Sequence, residues 1–216
     1  MSAEHAEHPA LMPNEWPEDP HFGRATSAKV GMWVFLLSDA FMFAGFLLAY
    51  GILRGGTDPE VGWIPAGEPA FGIGFTAFLT FLLICSSVTM VLSISALQQN
   101  HLKYAKFFLG ATIFGGACFL LGQVYEYWGF GLEGHGLVPL GLNFGASHRA
   151  TSFYCITGFH GMHVFSGVTY LTVIFIRMLK GKYDDGNWNH LETAGLFWHF
   201  VDLVWILVFT LVYLWI

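Results

Sequence analysis

The last apolar run of the chain opens with the stretch ETAGLFWHFVDLVW, residues 192–205, and continues to Ile216. A run of about 20 or more apolar residues is long enough to cross a membrane as a helix. This run also carries Glu192, His199 and Asp202, which fall within an arc of roughly 80° on a helix that turns about 100° per residue. Asp202 lies about 15 Å further along the helix than Glu192, which places it deep in the membrane. Inserting an ionised side chain at that depth costs on the order of 2.5–3.5 kcal/mol of free energy. We therefore expect a partner, a water or a proton at Asp202.

The composition of the whole chain is also typical of a membrane protein. Its 216 residues are 55% hydrophobic and 11% charged, against roughly 25% charged residues in a soluble domain. The uncharged runs are too long for the buried helices of a soluble all-α protein. We predict an all-α integral membrane protein, a bundle of five transmembrane helices. Its predicted parts are a polar, acidic tail (1–28) and a membrane domain (29–216) with spans at 30–53, 70–97, 104–130, 150–179 and 191–216.

Five spans place the two termini on opposite sides of the membrane. Of the nine Lys and Arg residues, seven lie in or beside the tail and the second and fourth connections. Because basic residues concentrate on the inner side, this asymmetry predicts the N-terminus inside and the C-terminus outside. The seven residues are Arg24, Lys29, Lys103, Lys106, Arg177, Lys180 and Lys182. A net charge of −6 without a basic stripe gives no basis for a nucleic-acid partner.

Histidines and acids recur at similar depth in the last two spans. His160 and His163 lie in the fourth span, and His199 and Asp202 lie in the fifth. Because adjacent spans are antiparallel, the two pairs could face each other near the middle of the membrane. A His–Asp contact would lower the cost of holding both groups in hydrocarbon.

Three interpretations of these polar residues remain open on the residues alone. Imidazoles suit a metal or a haem, although no Glu-x-x-His pair of the kind found in a di-iron bundle occurs in the predicted spans. A proton or ion path would use the same residue types. A cluster that only locks helices together is the third interpretation. Three roles are also open for Asp39, the acid in the first span. They are a hydrogen bond to a neighbouring helix, a stopping point for a transferred proton, and an acid that faces lipid.

Four segments carry a family pattern, in order, over nearly the whole chain after the tail. They are GMWVFLLSD (31–39) with FAGF (43–46), QVYEY (123–127), TGFHGMHV (157–164) and the stretch 192–205. On these segments the chain resembles subunit III of the haem–copper respiratory oxidases, of the cytochrome c oxidase type. It resembles the short, five-helix bacterial form rather than the seven-span form, and it carries Asp39 where members often carry Glu.

The resemblance implies a non-catalytic subunit of an enzyme that reduces oxygen to water and pumps protons. The haems and coppers would lie in partner subunits I and II, with no redox centre and no metal in this chain. Subunit III would pack on subunit I, bind phospholipid and support proton uptake and sustained turnover. The implied location is the bacterial inner membrane, as a multi-pass protein, and a larger respiratory supercomplex is a further assembly that the resemblance allows.

The resemblance also assigns roles to single residues. Asp39 would be a proton-uptake or lipid-facing acid, and Arg177 would bind a lipid phosphate. The remaining polar residues would form a structural cluster inside the membrane: Glu126, His160, His163, Glu192, His199 and Asp202.

Two alternative functions remain open. One is a subunit-III-like protein associated with nitric oxide reductase. The other is a stand-alone proton-coupled transporter, although no internal duplication or proline-broken span supports it.

Overall fold

A computed structural model describes residues 27–57, 62–64, 71–129, 136–181 and 189–214. Within these ranges the regular structure is helical, and five helices are long and apolar enough to cross a membrane. They are α1 (Ser27–Gly55), α2 (Ile73–Gln98), α3 (Leu102–Trp128), α4 (His148–Leu179) and α5 (Asn189–Val208), and α5 continues as a π-helix over Phe209–Leu214. The prediction of an all-α membrane protein with five spanning helices is therefore confirmed.

The helix ends differ from the predicted spans by at most three residues, at the starts of α1 and α2. Residues 1–26 of the predicted tail lie outside the described residues, and its last two residues, Ser27 and Ala28, belong to α1. Arg24 and Lys182, which entered the charge argument, also lie outside the described residues. The orientation of the termini therefore stays a prediction.

Local sequence signals set the ends of α3 and α4. Gly129 follows α3 with a φ of 62°, a left-handed conformation that glycine adopts without a steric penalty. Ser147 precedes α4, and its Oγ accepts a hydrogen bond of 3.0 Å from the backbone N–H of Ala150. A serine cap of this kind satisfies one of the free N–H groups at a helix start.

Helix α5 is the centre of the bundle. It packs against α1, α2 and α4, and its span is the most buried of the five. Helix α2 packs most extensively on α3, and α3 packs on α4. Helix α1 packs mainly on α4 and α5, and its span is the least buried.

Two tryptophans fix α5 against α2. Trp198 and Trp205 are both fully buried. The indole N–H of Trp198 donates to Ser86 Oγ at 3.2 Å, and that of Trp205 donates to Thr80 Oγ1 at 2.9 Å. Because lipid is as apolar as a protein core, close packing and hydrogen bonds of this kind hold membrane helices together.

Glycines on the neighbouring helices make room for the Trp198 ring. A Cβ atom on Gly116 of α3 would lie 2.5 Å from Trp198 Cη2 and 2.7 Å from Val168 Cγ2. A Cβ atom on Gly167 of α4 would lie 3.0 Å from the same ring. These glycines allow α3 and α4 to approach a bulky side chain on α5.

We predict that Gly116→Ala destabilises the bundle because its methyl group would overlap the Trp198 ring. Overpacking of this kind typically costs about 1–3 kcal/mol. The matched control is Gly110→Ala on the same helix, where a Cβ atom would meet Phe175 at an ordinary 3.8 Å. The thermal unfolding midpoint of the purified protein should fall for Gly116→Ala only. Equal midpoints for the two variants would contradict this account of the packing.

Candidate functional site

The polar side chains predicted for the membrane interior form separate contacts, each joining two or three helices. The first contact joins α1 to α4. Asp39 is buried, and its Oδ1 lies 3.1 Å from His163 Nε2. His163 Nδ1 lies 2.8 Å from the carbonyl oxygen of Phe159.

This geometry constrains the protons of the Asp39–His163 pair. A carbonyl oxygen can only accept a hydrogen bond, so His163 Nδ1 carries a proton. The short contact on the other side of the ring then needs one further proton between His163 Nε2 and Asp39 Oδ1. The pair is therefore either a neutral acid beside a neutral imidazole or a carboxylate beside an imidazolium, and both forms hold that proton between α1 and α4.

The expected contact between the histidines of α4 and the His199–Asp202 pair of α5 is not formed. His163 contacts α1, and His199 Nδ1 lies 2.6 Å from Ser87 Oγ of α2. The reason is the rotation of α5 about its axis, which turns Trp205 towards His160 and the acidic stripe towards α1 and α2. Asp202 interacts with the same Ser87 hydroxyl.

His160 lies in an aromatic pocket. It is fully buried, and neither ring nitrogen has a hydrogen-bond partner among the described residues. Its ring centroid lies 4.8 Å from that of Trp205, 5.9 Å from Phe119 and 6.3 Å from Phe43. In this structure His160 acts as a packing residue between α1, α3, α4 and α5.

Glu192 holds three helices together where α1 and α5 begin. It forms an ion pair with Lys29 of α1. Its Oε1 also accepts a hydrogen bond of 3.4 Å from the Gln98 amide at the end of α2. The contact ties the start of the least buried helix to the centre of the bundle.

Glu126 occupies the opposite end of the bundle. Its side chain is buried, Oε1 accepts a hydrogen bond from Thr76 Oγ1, and Oε2 accepts one from the Tyr213 hydroxyl, both at 3.0 Å. Thr76 lies on α2, and Tyr213 lies in the π-helix that continues α5. The carboxyl group therefore joins α2, α3 and the end of α5.

The sequence analysis missed Thr76 and Tyr213 as partners of Glu126. A single threonine or tyrosine near the end of an apolar run is common in membrane helices, and Tyr usually marks the interface. The wider turn of the π-helix also changes which face Tyr213 presents, and no sequence signal predicted it. The role of Gln123 was also not predicted: its amide donates to the Thr157 carbonyl at 2.8 Å and joins α3 to α4.

Two arginines lie at opposite ends of α4. Arg177 is exposed in its last turn. Arg149 is buried in its first turn, with its guanidinium carbon 4.2 Å from the centre of the Phe71 ring, a cation–π contact. No pattern in the sequence predicted that Arg149 is buried.

Asp39 is buried beside His163, and its role as a proton-uptake or lipid-facing acid stays a prediction, as does the lipid-binding role of Arg177. The structural role of the other six residues also stays a prediction. Within the described ranges, no group of three or more His, Cys, Asp and Glu side chains is arranged to hold a metal ion.

Five spanning helices joined by buried polar pairs define a multi-pass helical membrane protein. The family model described as cytochrome c oxidase subunit III matches residues 21–216, which include all five helices. The chain therefore belongs to the cytochrome c oxidase subunit III family. This finding confirms the resemblance stated from the four sequence segments.

Relatives support the same assignment over most of their length. Cytochrome c oxidase subunit 3 of Alkalihalophilus pseudofirmus is 34% identical, over 86% of this chain and 85% of that protein. Cytochrome c oxidase subunit 3 of a Bacillus species is 32% identical over 97% of both chains. Cytochrome bo(3) ubiquinol oxidase subunit 3 of Pseudomonas putida is 29% identical, over 86% of this chain and 84% of that protein.

Membership places the chain in a haem–copper oxidase of the respiratory chain, in complex with other oxidase subunits. It is a multi-pass protein of the bacterial inner membrane. The assignment favours an oxidase subunit over the stand-alone transporter kept as an alternative above.

We predict that Tyr213→Phe destabilises the end of the bundle, because Glu126 Oε2 would remain buried without its hydrogen-bond donor. Leaving a buried acceptor unsatisfied costs about 1–3 kcal/mol. Tyr170→Phe is the matched control, since it makes the same chemical change on a half-exposed side chain of α4. The measurement is the thermal unfolding midpoint of the purified protein. An unchanged midpoint in Tyr213→Phe would show that this hydrogen bond contributes little.

Proposed function

We propose that this chain is the non-catalytic subunit III of a proton-pumping haem–copper terminal oxidase, assembled with subunits I and II. The observation that carries the proposal is the family match over residues 21–216, which spans every helix of the bundle. In this proposal the haems and coppers lie in subunits I and II, and this chain stabilises subunit I. A larger respiratory supercomplex is compatible with the same arrangement.

The orientation proposed from the basic residues places the start of α1 on the inner side of the membrane. In that orientation the last turn of α4, which carries Arg177, reaches the same surface. An exposed guanidinium at the end of a spanning helix suits a phospholipid phosphate, which it can bind through two hydrogen bonds. Mass spectrometry of the lipids retained by the purified complex would test whether a phospholipid stays bound.

Support of proton uptake is proposed for the Asp39–His163 pair. The pair holds a proton between two helices, and His163 retains some exposure, with 14% of its side chain accessible. A carboxyl–imidazole pair of this kind can take up and release a proton with little movement of either side chain. The proposal assigns this role to Asp39, where family members often carry Glu.

Purification through a tag on the N-terminal tail tests the assembly. In mild detergent, haem absorbance is expected to co-purify with larger subunits and to be lost when this chain is separated from them. The control is the same purification from cells that carry the untagged chain. A separated chain that kept haem in fixed stoichiometry would contradict the non-catalytic assignment and make His160, His163 and His199 ligand candidates.

We predict that Asp39→Asn leaves assembly intact but shortens sustained turnover. Asparagine preserves the size and a hydrogen bond to His163, whereas it removes the exchangeable carboxyl proton. Oxygen consumption by the purified complex should decline several-fold faster than in wild type, while subunit stoichiometry stays the same.

Two variants sharpen the Asp39 test. Asp39→Glu keeps the acid and should retain wild-type turnover. Ser38→Ala changes the preceding exposed residue, whose hydroxyl bonds only to the Phe35 carbonyl within the described chain, and should also match wild type. Equal inactivation rates in Asp39→Asn and Ser38→Ala would rule out a role for this acid.

A further inference from the structure

A second set of polar groups, separate from Asp39 and His163, runs from one membrane surface into the bundle. It begins at the Lys29–Glu192 ion pair, continues to His199 and Ser87, and ends at Asp202. These residues come from α1, α2 and α5. The roles proposed above give this column of residues only contacts that hold helices together.

The upper part of the column is a cavity of about 360 Å³ that opens to the surface of the bundle. Its lining residues are Lys29, Trp33, Ile94, Glu192, Gly195, Leu196 and His199. The seven-residue step from Glu192 to His199 corresponds to about 10 Å along the helix. The volume is large enough for several waters, which need two to four polar partners each, and Lys29, Glu192 and His199 are the polar residues of the lining.

The lower part of the column consists of His199, Ser87 and Asp202. Ser87 Oγ lies 2.6 Å from His199 Nδ1 and also interacts with the Asp202 carboxyl group. A serine hydroxyl donates one hydrogen bond while it accepts others. Ser87 can therefore connect the imidazole that lines the cavity to the acid below it.

The acid at the end of the column is incompletely satisfied. Asp202 is 7% exposed, and its Oδ1 is buried without a hydrogen-bond partner among the described residues. Buried polar atoms almost always have a partner, and a carboxyl oxygen in this position is satisfied by a water or by its own proton. This atom points to a small exchangeable ligand at the inner end of the column.

We propose that the cavity and the chain His199–Ser87–Asp202 form a water-connected proton path that ends at Asp202. A cavity water gives a proton to His199 Nε2, and His199 Nδ1 gives its proton to Ser87 Oγ. Ser87 in turn gives its hydroxyl proton to a carboxylate oxygen of Asp202. The net change is one proton lost by the water phase and one O–H bond gained by Asp202. Release follows the same steps in reverse.

The charged and titratable groups around the path are few. Lys29 faces it from α1, and Glu192 and His199 face it from α5. Helix α2 carries no charged residue and faces the path with Ser87 and Gln98. The histidines of α4 lie on other faces of α5, His160 beside Trp205 and His163 beside Phe197. Proton exchange at Asp202 is therefore separable from the Asp39–His163 pair and from the oxidase assignment.

Infrared difference spectroscopy of the purified complex tests the path directly. The carbonyl stretch of protonated Asp202 is identified by its loss in Asp202→Asn. Transfer from H₂O to D₂O should shift this band rapidly in the wild type. In Ser87→Ala the shift should be at least about tenfold slower, because the link between His199 and Asp202 is missing. Should Asp202→Asn fail to assemble, Asp202→Glu identifies the band by its displacement.

Two comparisons make the result decisive. Ser95→Ala removes a hydroxyl of the same helix that lies two turns away and accepts from Gln99, so its exchange should match wild type. Ile94→Trp narrows the cavity without changing a polar residue and should slow the exchange. An absent Asp202 band, or equal exchange rates in wild type and Ser87→Ala, would overturn the proposal. Neither result would bear on haem co-purification, which tests the proposed function separately.

Discussion

The packing of the bundle depends on two hydrogen bonds that the indoles of Trp198 and Trp205 in α5 donate to α2. They bury Trp198 and Trp205 between helices, and so they set the rotation of α5 about its own axis. That rotation directs the stripe of Glu192, His199 and Asp202 away from α4. The polar contacts with Lys29, Gln98 and Ser87 follow from it.

The membrane interior explains why Asp39 and Glu126 have hydrogen-bond partners on other helices. Hydrocarbon offers no hydrogen bonds, so each buried polar group needs a partner on another helix or a water. Asp39 joins α1 to α4, and Glu126 joins α2, α3 and the end of α5. The same contacts therefore satisfy polar atoms and fix the order in which the helices pack.

Much of the fold could be predicted from sequence because apolar length alone marks a spanning helix. The stripe of Glu192, His199 and Asp202 was also predictable, since helical spacing decides which residues share a face. Helical spacing does not decide which neighbouring helix that face contacts. The predicted contact between the acidic stripe of α5 and the histidines of α4 is therefore not formed, and His199 contacts Ser87 of α2 instead. The partnership of Glu126 with Tyr213 depended on a π-helix, whose extra residue per turn leaves no mark in an apolar sequence.

The position of α1 has a consequence for the order of synthesis. Asp39 enters the membrane 124 residues before its partner His163 is made, which at roughly 5–20 residues per second is a delay on the order of 10 s. Helix α1 packs mainly on α4 and α5, so it docks onto helices that are translated well after it. A nascent chain of this kind holds an unpaired acid in the bilayer until its second half arrives.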